Sequence, residues 1–535
     1  MAAIERLAGY FLLTWGWKRA LLAFAAGALG ALAMPPFDFF PILFVSLPVL
    51  VWLMDSSASD PGRGLFSRLW SGFSTCWWFG FGYLVAGLWW IANALLIEAS
   101  EFAWLIPLAV IGLPAALAVF YGIGGALARL IWSDGWPRLL ALAAGLGLAE
   151  YLRGTLLTGF PWNALGYGAM TMPATMQSAS LIGLYGVTLL AVPVFAAPVL
   201  LLDVRNELPG SKAFATLCVV LVIAHTGFGY WRLQQPGNPN VADVSLRLVQ
   251  PAIDQAEKWS PESADRSFRT LLDLSTTATS PEKQGLSGTD LLIWPETAFP
   301  FILTERRDAL AALDAMIPPG TTLLAGAVRF EPPASGQTSR RAFNSIYMIN
   351  DSGEIVQAAD KVHLVPFGEY LPFQEWLEGL GFQQITRLRG GFEAAANRRL
   401  LDTGKAGSLL PLICYEIIFP GEPLQGVSRP DWILNVTNDA WFGNSPGPHQ
   451  HWRQAVIRGV EEGLPVVRVA NNGISSVTDA RGRTVERIGH GVRGVVDSAL
   501  PASDPPTLYS RIGNWTFGGL AILFGLAPFL FKRRS

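Results

Sequence analysis

Charge is what this sequence has least of. Only 15% of its 535 residues are Asp, Glu, Lys or Arg, where a soluble globular domain carries about 25%. The few charges nearly balance, with a formal net charge of −2, so no nucleic-acid partner is expected. Histidine is scarce, at five copies. His449-Gln450-His451 has a metal-like spacing, but His363 and His490 add no cluster, so no metal site is expected. Cysteine is scarcer still, at three. Cys76 and Cys218 fall in apolar stretches, and Cys414 stands alone in the polar part of the chain. An unpaired thiol in an oxidising compartment is either buried and inert or kept for reactivity. A small-residue cleavage site after a short apolar core is also missing, so no cleavable signal peptide is expected.

What the chain has in quantity is apolar surface, 51% of its residues. Residues 1–231 are largely apolar and rich in Trp and Gly, 232–511 resemble an ordinary soluble domain, and 513–531 are apolar again. A helix needs about 20 apolar residues to cross a bilayer. The runs predict about eight transmembrane helices, near 18–34, 38–54, 69–97, 103–128, 138–152, 178–202, 213–231 and 513–531. Residues 8–17, cut off by Lys18-Arg19, are expected along the interface. Trp77, Trp78, Trp89 and Trp90 read as interface anchors. Gly27, Gly30 and the glycines near 122–125 read as helix-packing positions.

Basic residues mark alternate loops. Arg6, Lys18 and Arg19, then Arg63 and Arg68, Arg129 and Arg138, Arg205 and Lys212, and Lys532-Arg533-Arg534 lie on one side. Loops 35–37 and 98–102 have no Lys or Arg, and 153–177 has Arg153 alone. The positive-inside rule places both termini in the cytoplasm and the polar domain opposite.

That domain reads as α/β. Apolar, β-branched runs occur at 243–250, 290–294, 321–328, 344–350, 409–413, 432–437, 465–470 and 474–478, with another strand at 483–488. Helical periodicity occurs at 264–276, 307–316 and 449–463. Strands alternating with helices gather reactive groups at strand ends. Three such ends carry unusual residues. Asp290-Leu-Leu-Ile-Trp294-Pro295 delivers Glu296, an apolar run surrounds Lys361, and Leu409–Ile413 leads into Cys414. Each has a bland alternative: Glu296 as a helix cap, Lys361 paired with Asp360, Cys414 as core. Together they make a site. A thiol needs a base to become a nucleophile, and Glu296 in an apolar pocket can take its proton. Lys361 and the backbone N–H of Tyr415 can stabilise an oxyanion. A Cys414–His451 pair is the rival way to activate the thiol.

Trp294-Pro295-Glu296, Lys361 with Val365-Pro366-Phe367-Gly368-Glu369-Tyr370, and Cys414-Tyr415-Glu416 resemble the Glu-Lys-Cys triad of the nitrilase superfamily. Gln255-Ala-Glu-Lys-Trp259, Phe343-Asn344-Ser345, Asn435-Val-Thr-Asn438-Asp439-Ala-Trp441-Phe442-Gly443 and Gly159-Phe160-Pro161-Trp162 extend the match. With helices on both flanks, the whole chain resembles the bacterial apolipoprotein N-acyltransferase family.

The resemblance implies an αββα nitrilase-like sandwich inserted among transmembrane helices. It divides the chain into a membrane domain at 1–231, a periplasmic catalytic domain at 232–511, and a last helix with a cytoplasmic basic tail at 512–535. It implies an inner-membrane enzyme that needs neither cofactor nor metal. Cys414 would take an acyl chain from a phospholipid, typically phosphatidylethanolamine, as a thioester. The α-amino group of the diacylglyceryl N-terminal cysteine of an apolipoprotein would then receive it, giving a triacylated lipoprotein. Glu296 would be the base and Lys361 the oxyanion partner. Glu369 would support the triad as a second carboxylate. Asn344 would be a supporting residue, and Trp259, Tyr415 and Glu416 would shape the pocket.

Phe373, Trp376, Leu377, Leu380, Phe382 and Phe392, with interspersed glycines, predict a mobile lid over 373–393 whose amides exchange faster than the strands'. Two other functions fit parts of the sequence. A tethered nitrilase-type amidase would pass the acyl group to water. A transporter or assembly factor would only bind, although the predicted spans carry few charges and Glu150 sits at a span end.

Overall fold

The computed structural model describes residues 2–57, 64–202, 210–255, 261–333, 340–379, 384–386 and 391–531. Its contacts divide the chain into two units. One holds residues 1–92, 104–236 and 506–535, and the other holds 93–103 and 237–505.

The first unit is helical, because its apolar runs leave the backbone no polar partner but itself. Among the described residues, Leu65–Leu96, Ala99–Leu130, Ala179–Leu201 and Ser211–Gln234 are long and apolar enough to cross a membrane. Phe40–Ser56 and Trp515–Leu530 are apolar but shorter. The helix Gly16–Gly30 has 15 residues, and Pro137–Thr155 carries Arg138, Glu150 and Arg153. Of the expected spans, these four meet both length and composition among the described residues, and the others fall on shorter or more charged helices. Glycine packing is as expected: a Cβ on Gly27 would strike the Phe79 carbonyl, and one on Gly124 that of Gly145. Trp90 is not an interface anchor. It is 3% exposed, and its ring lies 5.0 Å from that of Trp162.

Among the described residues, the second unit holds twelve strands: β1 (Asn240–Gln250), β2 (Leu291–Ile293), β3 (Thr322–Glu331), β4 (Arg341–Ile349), β5 (Ile355–Asp360), β6 (Leu401–Asp402), β7 (Ser408–Ile413), β8 (Trp432–Thr437), β9 (Val466–Ala470), β10 (Ser475–Thr478), β11 (Thr484–Ile488) and β12 (Gly494–Pro501). They make two six-stranded sheets, ordered β12-β1-β2-β3-β4-β5 and β11-β10-β9-β8-β7-β6. The inner faces meet in one core, where Leu246, Ile293 and Leu324 join Leu409, Ile413, Leu434 and Val467. Helices α1 (Pro261–Ser275) and α2 (Arg307–Met316) cover the first sheet, placing Phe268, Leu271, Ala309 and Leu313 on Leu292 and Leu323. Helix α3 (Gly447–Glu462) packs on β9 of the second and ends at Gly463 in the left-handed region, at φ 68°. The order is helix, sheet, sheet, helix.

Strands β7, β8 and β9 run parallel, as do β1, β2 and β3. Both parallel sets are buried on two faces, which explains their near-continuous apolar runs. Parallel pairing also brings the C-terminal ends of neighbouring strands together, and there the polar residues collect.

Candidate active site

Glu296 follows β2 through a turn anchored by its neighbours. The Trp294 indole is fully buried and donates to Ser275 Oγ at 2.9 Å. The turn is laced to β3 by Gly326 N–H donating to Pro295 O at 3.1 Å and Ala298 N–H donating to Gly326 O at 2.7 Å. Such close lacing needs glycine at 326, since a Cβ there would come 2.5 Å from Glu296 Cα. Glu296 is 6% exposed, and its carboxylate accepts from Asn344 Nδ2 at 2.8 Å and lies 4.0 Å from Lys361 Nζ.

Lys361 follows β5, whose pairing with β4 lets Lys361 N–H donate to Asn344 O at 2.8 Å. Its expected alternative partner is taken elsewhere. Asp360 accepts from Arg329 at 2.8 and 2.7 Å and from Ser345 Oγ at 2.6 Å. Lys361 Nζ instead meets Glu369 at 3.0 and 2.9 Å, and Asn344 Nδ2 also donates to Glu369 Oε1 at 2.9 Å. One ammonium and one amide therefore bridge two buried carboxylates. Burial alone would pull the Lys361 ammonium down, but Glu369 and Glu296 outweigh it and hold it above its ordinary value. Glu369 is itself placed by Val365 N–H, which donates to its Oε2 at 2.8 Å.

Cys414 follows β7 with φ 52°. A side-chain-bearing residue in that region costs about 1–3 kcal/mol and must be held there by its surroundings. Glu416 is one holder: its Oε2 accepts from Ile413 N–H at 2.8 Å. Its Oε1 accepts from Val362 N–H at 3.0 Å, His363 N–H at 3.1 Å and Arg398 Nη1 at 2.9 Å. One carboxylate thus ties the cysteine turn to the segment after Lys361. Burial pushes the Cys414 thiol up, Glu296 pushes it further, and Lys361 opposes both. The resting sulfur is therefore a thiol, and its proton must leave as it reacts.

Sequence reasoning missed a second cluster beneath the sulfur. Thr437 at the end of β8 hydrogen-bonds the Cys414 side chain, and its hydroxyl donates to Asp439 Oδ1 at 2.9 Å. Asp439 Oδ2 accepts from Arg468 Nη2 at 2.7 Å. His451 Nδ1 lies 2.9 Å from Asp439 Oδ1, and Nε2 lies 3.1 Å from the Cys414 carbonyl oxygen. Burial would raise the Asp439 carboxyl, yet Arg468 and His451 hold it well below the usual carboxylate range. Burial, reinforced by Arg468, pulls His451 down. A neutral His451 ring is used on both sides, Nδ1 accepting from Arg468 Nη2 at 3.0 Å and Nε2–H donating to the Cys414 carbonyl oxygen at 3.1 Å, which argues against the Cys414–His451 rival. The Asn-Val-Thr-Asn-Asp run was the available signal, but its Asp and Thr were not tied to the thiol.

Tyr415 is 7% exposed and packs edge-on against Phe419, at 5.0 Å between ring centres. Trp259 lies outside the described residues, as do 380–383 and 387–390 of the expected lid. The described part of that segment includes a short helix, Gln374–Gly379, with Phe373 83% and Trp376 66% exposed.

The charge arrangement predicts opposite responses to one substitution. Glu296→Gln removes the negative charge that raises the thiol, so iodoacetamide should alkylate Cys414 faster at pH 8–9 than in the unmutated protein. In the latter, the rate should keep climbing through pH 9 with no plateau, because the thiol titrates above its ordinary value. Turnover should meanwhile fall by about 10²–10⁴-fold, the loss expected for a general base. An unchanged alkylation rate in Glu296→Gln would show that the carboxylate does not act on the sulfur.

Comparison with known proteins adds an independent line. Residues 26–197 match the family described as apolipoprotein N-acyltransferase N-terminal domain. Residues 246–504, which span the two sheets, match the carbon-nitrogen hydrolase family. The chain is 52% identical to the apolipoprotein N-acyltransferase of Rhizobium rhizogenes, over 93% of this chain and 92% of that protein. Identity to the protein of the same name from Agrobacterium fabrum is 50%, over 99% of this chain and 100% of that one. For Rhodopseudomonas palustris it is 47%, over 99% and 98%.

Proposed function

The chain belongs to the apolipoprotein N-acyltransferase family, and on that premise we propose how its residues carry out the transfer. It is a membrane-embedded acyltransferase that N-acylates lipoproteins at the expense of phospholipid. Cys414 Sγ attacks the acyl ester carbonyl of the donor, phosphatidylethanolamine in this reading. As the C–S bond forms, Glu296 takes the thiol proton. Lys361 and the backbone N–H of Tyr415 stabilise the oxyanion of the tetrahedral intermediate. The C–O bond then breaks, and Glu296 returns the proton to the departing lysophospholipid oxygen.

The α-amino group of the acceptor's diacylglyceryl cysteine attacks the thioester next and gives a proton to Glu296. The C–S bond breaks, and the sulfur leaves with that proton. Glu369 and Asn344 hold Lys361 and Glu296 in place, and Glu416 fixes the Cys414 turn. Tyr415 shapes the pocket.

The observation that carries this reading is the meeting of one strained thiol, one ammonium and two carboxylates within a buried region of a single unit. Hydrolysis by a tethered amidase would use the same residues. Near-full-length identity to acyltransferases favours the amine as acceptor.

We further propose that 1–231 forms the membrane domain, 232–511 the catalytic domain and 512–535 the last span with its basic tail. Eight crossings, cytoplasmic termini and a periplasmic catalytic domain follow from the alternation of basic loops. Incubation with labelled phosphatidylethanolamine should give a hydroxylamine-sensitive acyl adduct on Cys414 that diacyl lipopeptide discharges. An adduct that water discharges equally fast, with no acylated lipopeptide, would point to the hydrolase. The periplasmic placement fails if membrane-impermeant maleimide reaches Cys414 only after spheroplasts are lysed.

A further inference from the structure

The acceptor is a peptide as well as a lipid, and none of the residues above places the peptide. A cavity of about 610 Å³ lies in the two-sheet unit, lined by Asn93, Asp254, Gln255, Asn444, Asn472 and His490 among others. That volume is in the range of ordinary ligand sites.

Strand register puts the cavity beside the nucleophile. Ile413 on β7 pairs with Val436 on β8, so Cys414 and Thr437 leave the sheet side by side. Asn438, the next residue, donates to Gln255 Oε1 at 2.6 Å. Ala440 already lines the cavity. At the rise of an extended chain, the wall begins within about 10 Å of the residue that bonds the sulfur.

The lining chemistry is selective. Asn93, Gln255, Asn444 and Asn472 are primary amides, and each side chain can both donate and accept, as a peptide bond does. Asn93 is fixed by donating to Phe442 O at 2.7 Å, and Gln255 by its bond from Asn438. Asn472 Oδ1 is buried with no hydrogen-bond partner among the described residues. A buried acceptor left unpaired is costly, and an N–H donor from a ligand would satisfy it. A phosphate oxygen cannot. Burial pulls His490 below its ordinary value, so it is uncharged at neutral pH. Among the described lining residues, the charged group is then the Asp254 carboxylate, which repels a lipid phosphate.

We propose that this cavity is the subsite for the peptide main chain that follows the lipid-modified cysteine of the acceptor. It rests on the reading of Cys414 as acyl carrier. Amide-to-main-chain contacts ignore the peptide's side chains, so the subsite accepts varied sequences and discriminates by the presence of a peptide.

The test uses the purified full-length protein and two acceptors, diacylglyceryl-cysteine amide and the same compound with a short serine-glycine extension. Phosphatidylethanolamine in mixed micelles first loads Cys414, and thioester formation is timed before any acceptor is added. The extended acceptor should show a KM about tenfold lower than the bare one, the difference that one well-placed pair of hydrogen bonds supplies. In Asn444→Leu/Asn472→Leu that advantage should vanish, with thioester formation unchanged. Asn444→Leu alone, at an exposed position, should lose part of the advantage and guards against misfolding of the double variant.

Equal KM values in the unmutated protein, or an advantage that survives both variants, would overturn the proposal. Slowed thioester formation with an intact peptide advantage would reassign the cavity to the donor lipid. Absence of any thioester in the unmutated protein is a separate result. It defeats the acyl-carrier reading, and the subsite falls with it.

Discussion

Cys414→Ala should lower acyl transfer by about 10⁴-fold or more and abolish the acyl adduct, because Cys414 is the group proposed to form the covalent intermediate. Folding should respond in a less usual way. The residue sits at φ 52°, a conformation that alanine tolerates no better than cysteine and glycine adopts freely. Cys414→Gly should therefore melt at a higher temperature than Cys414→Ala, reversing the ordinary order of these two residues. Both variants lose the same buried sulfur from the inter-sheet core, so the comparison isolates the backbone. Thermal unfolding of the two, side by side, is the measurement. A glycine variant melting below the alanine variant would show that the turn is not held in the left-handed region.

Lys361→Met should lower turnover by about 10²–10³-fold, the loss expected when one oxyanion donor is removed. The ammonium also separates two carboxylates, lying 2.9 Å from Glu369 and 4.0 Å from Glu296. Removing it leaves like charges facing each other with Asn344 as the shared donor. Breaking a buried pair by deleting one member costs about 3–5 kcal/mol, so the variant should also melt well below the unmutated protein. Lys361→Arg should rescue neither quantity. A planar fork cannot occupy the place of a compact ammonium between two fixed carboxylates. Full turnover in Lys361→Met, measured with lipopeptide acceptor, would remove Lys361 from the mechanism.

Much of the fold was legible because its central strands are buried on both faces. The runs at 409–413 and 432–437 fall on Ser408–Ile413 and Trp432–Thr437. Of the edge strands, β11 was read at 483–488, but β5, β6 and β12 were not. Ile355–Asp360 is half exposed along its length, and Gly494–Pro501 mixes open and covered positions, so neither makes an apolar run. The membrane crossings are less legible for a related reason. Apolar composition marks a helix as buried, but not whether lipid or protein covers it. Pro137–Thr155 buries most of its residues inside the protein.

In the candidate site, Glu296, Lys361 and Cys414 were legible because ionisable residues at the ends of apolar strands are rare. Their partners were not. Lys361 is next to Asp360 in sequence, yet Arg329, two strands away on β3, takes that carboxylate. Asp439, His451 and Arg468 form their cluster only through the packing of β8, β9 and α3, and nothing in their spacing announces it.

The triad is divided between the two sheets: β2 and β5 deliver Glu296 and Lys361, and β7 delivers Cys414. Neither sheet by itself holds a reactive centre. A nascent or partly opened chain carries a cysteine with no base and no charge partner, and such a thiol does not capture acyl groups. Competence for chemistry therefore requires both sheets to be in place together. An enzyme surrounded by its own acyl donor is in this way kept chemically silent until its architecture is complete.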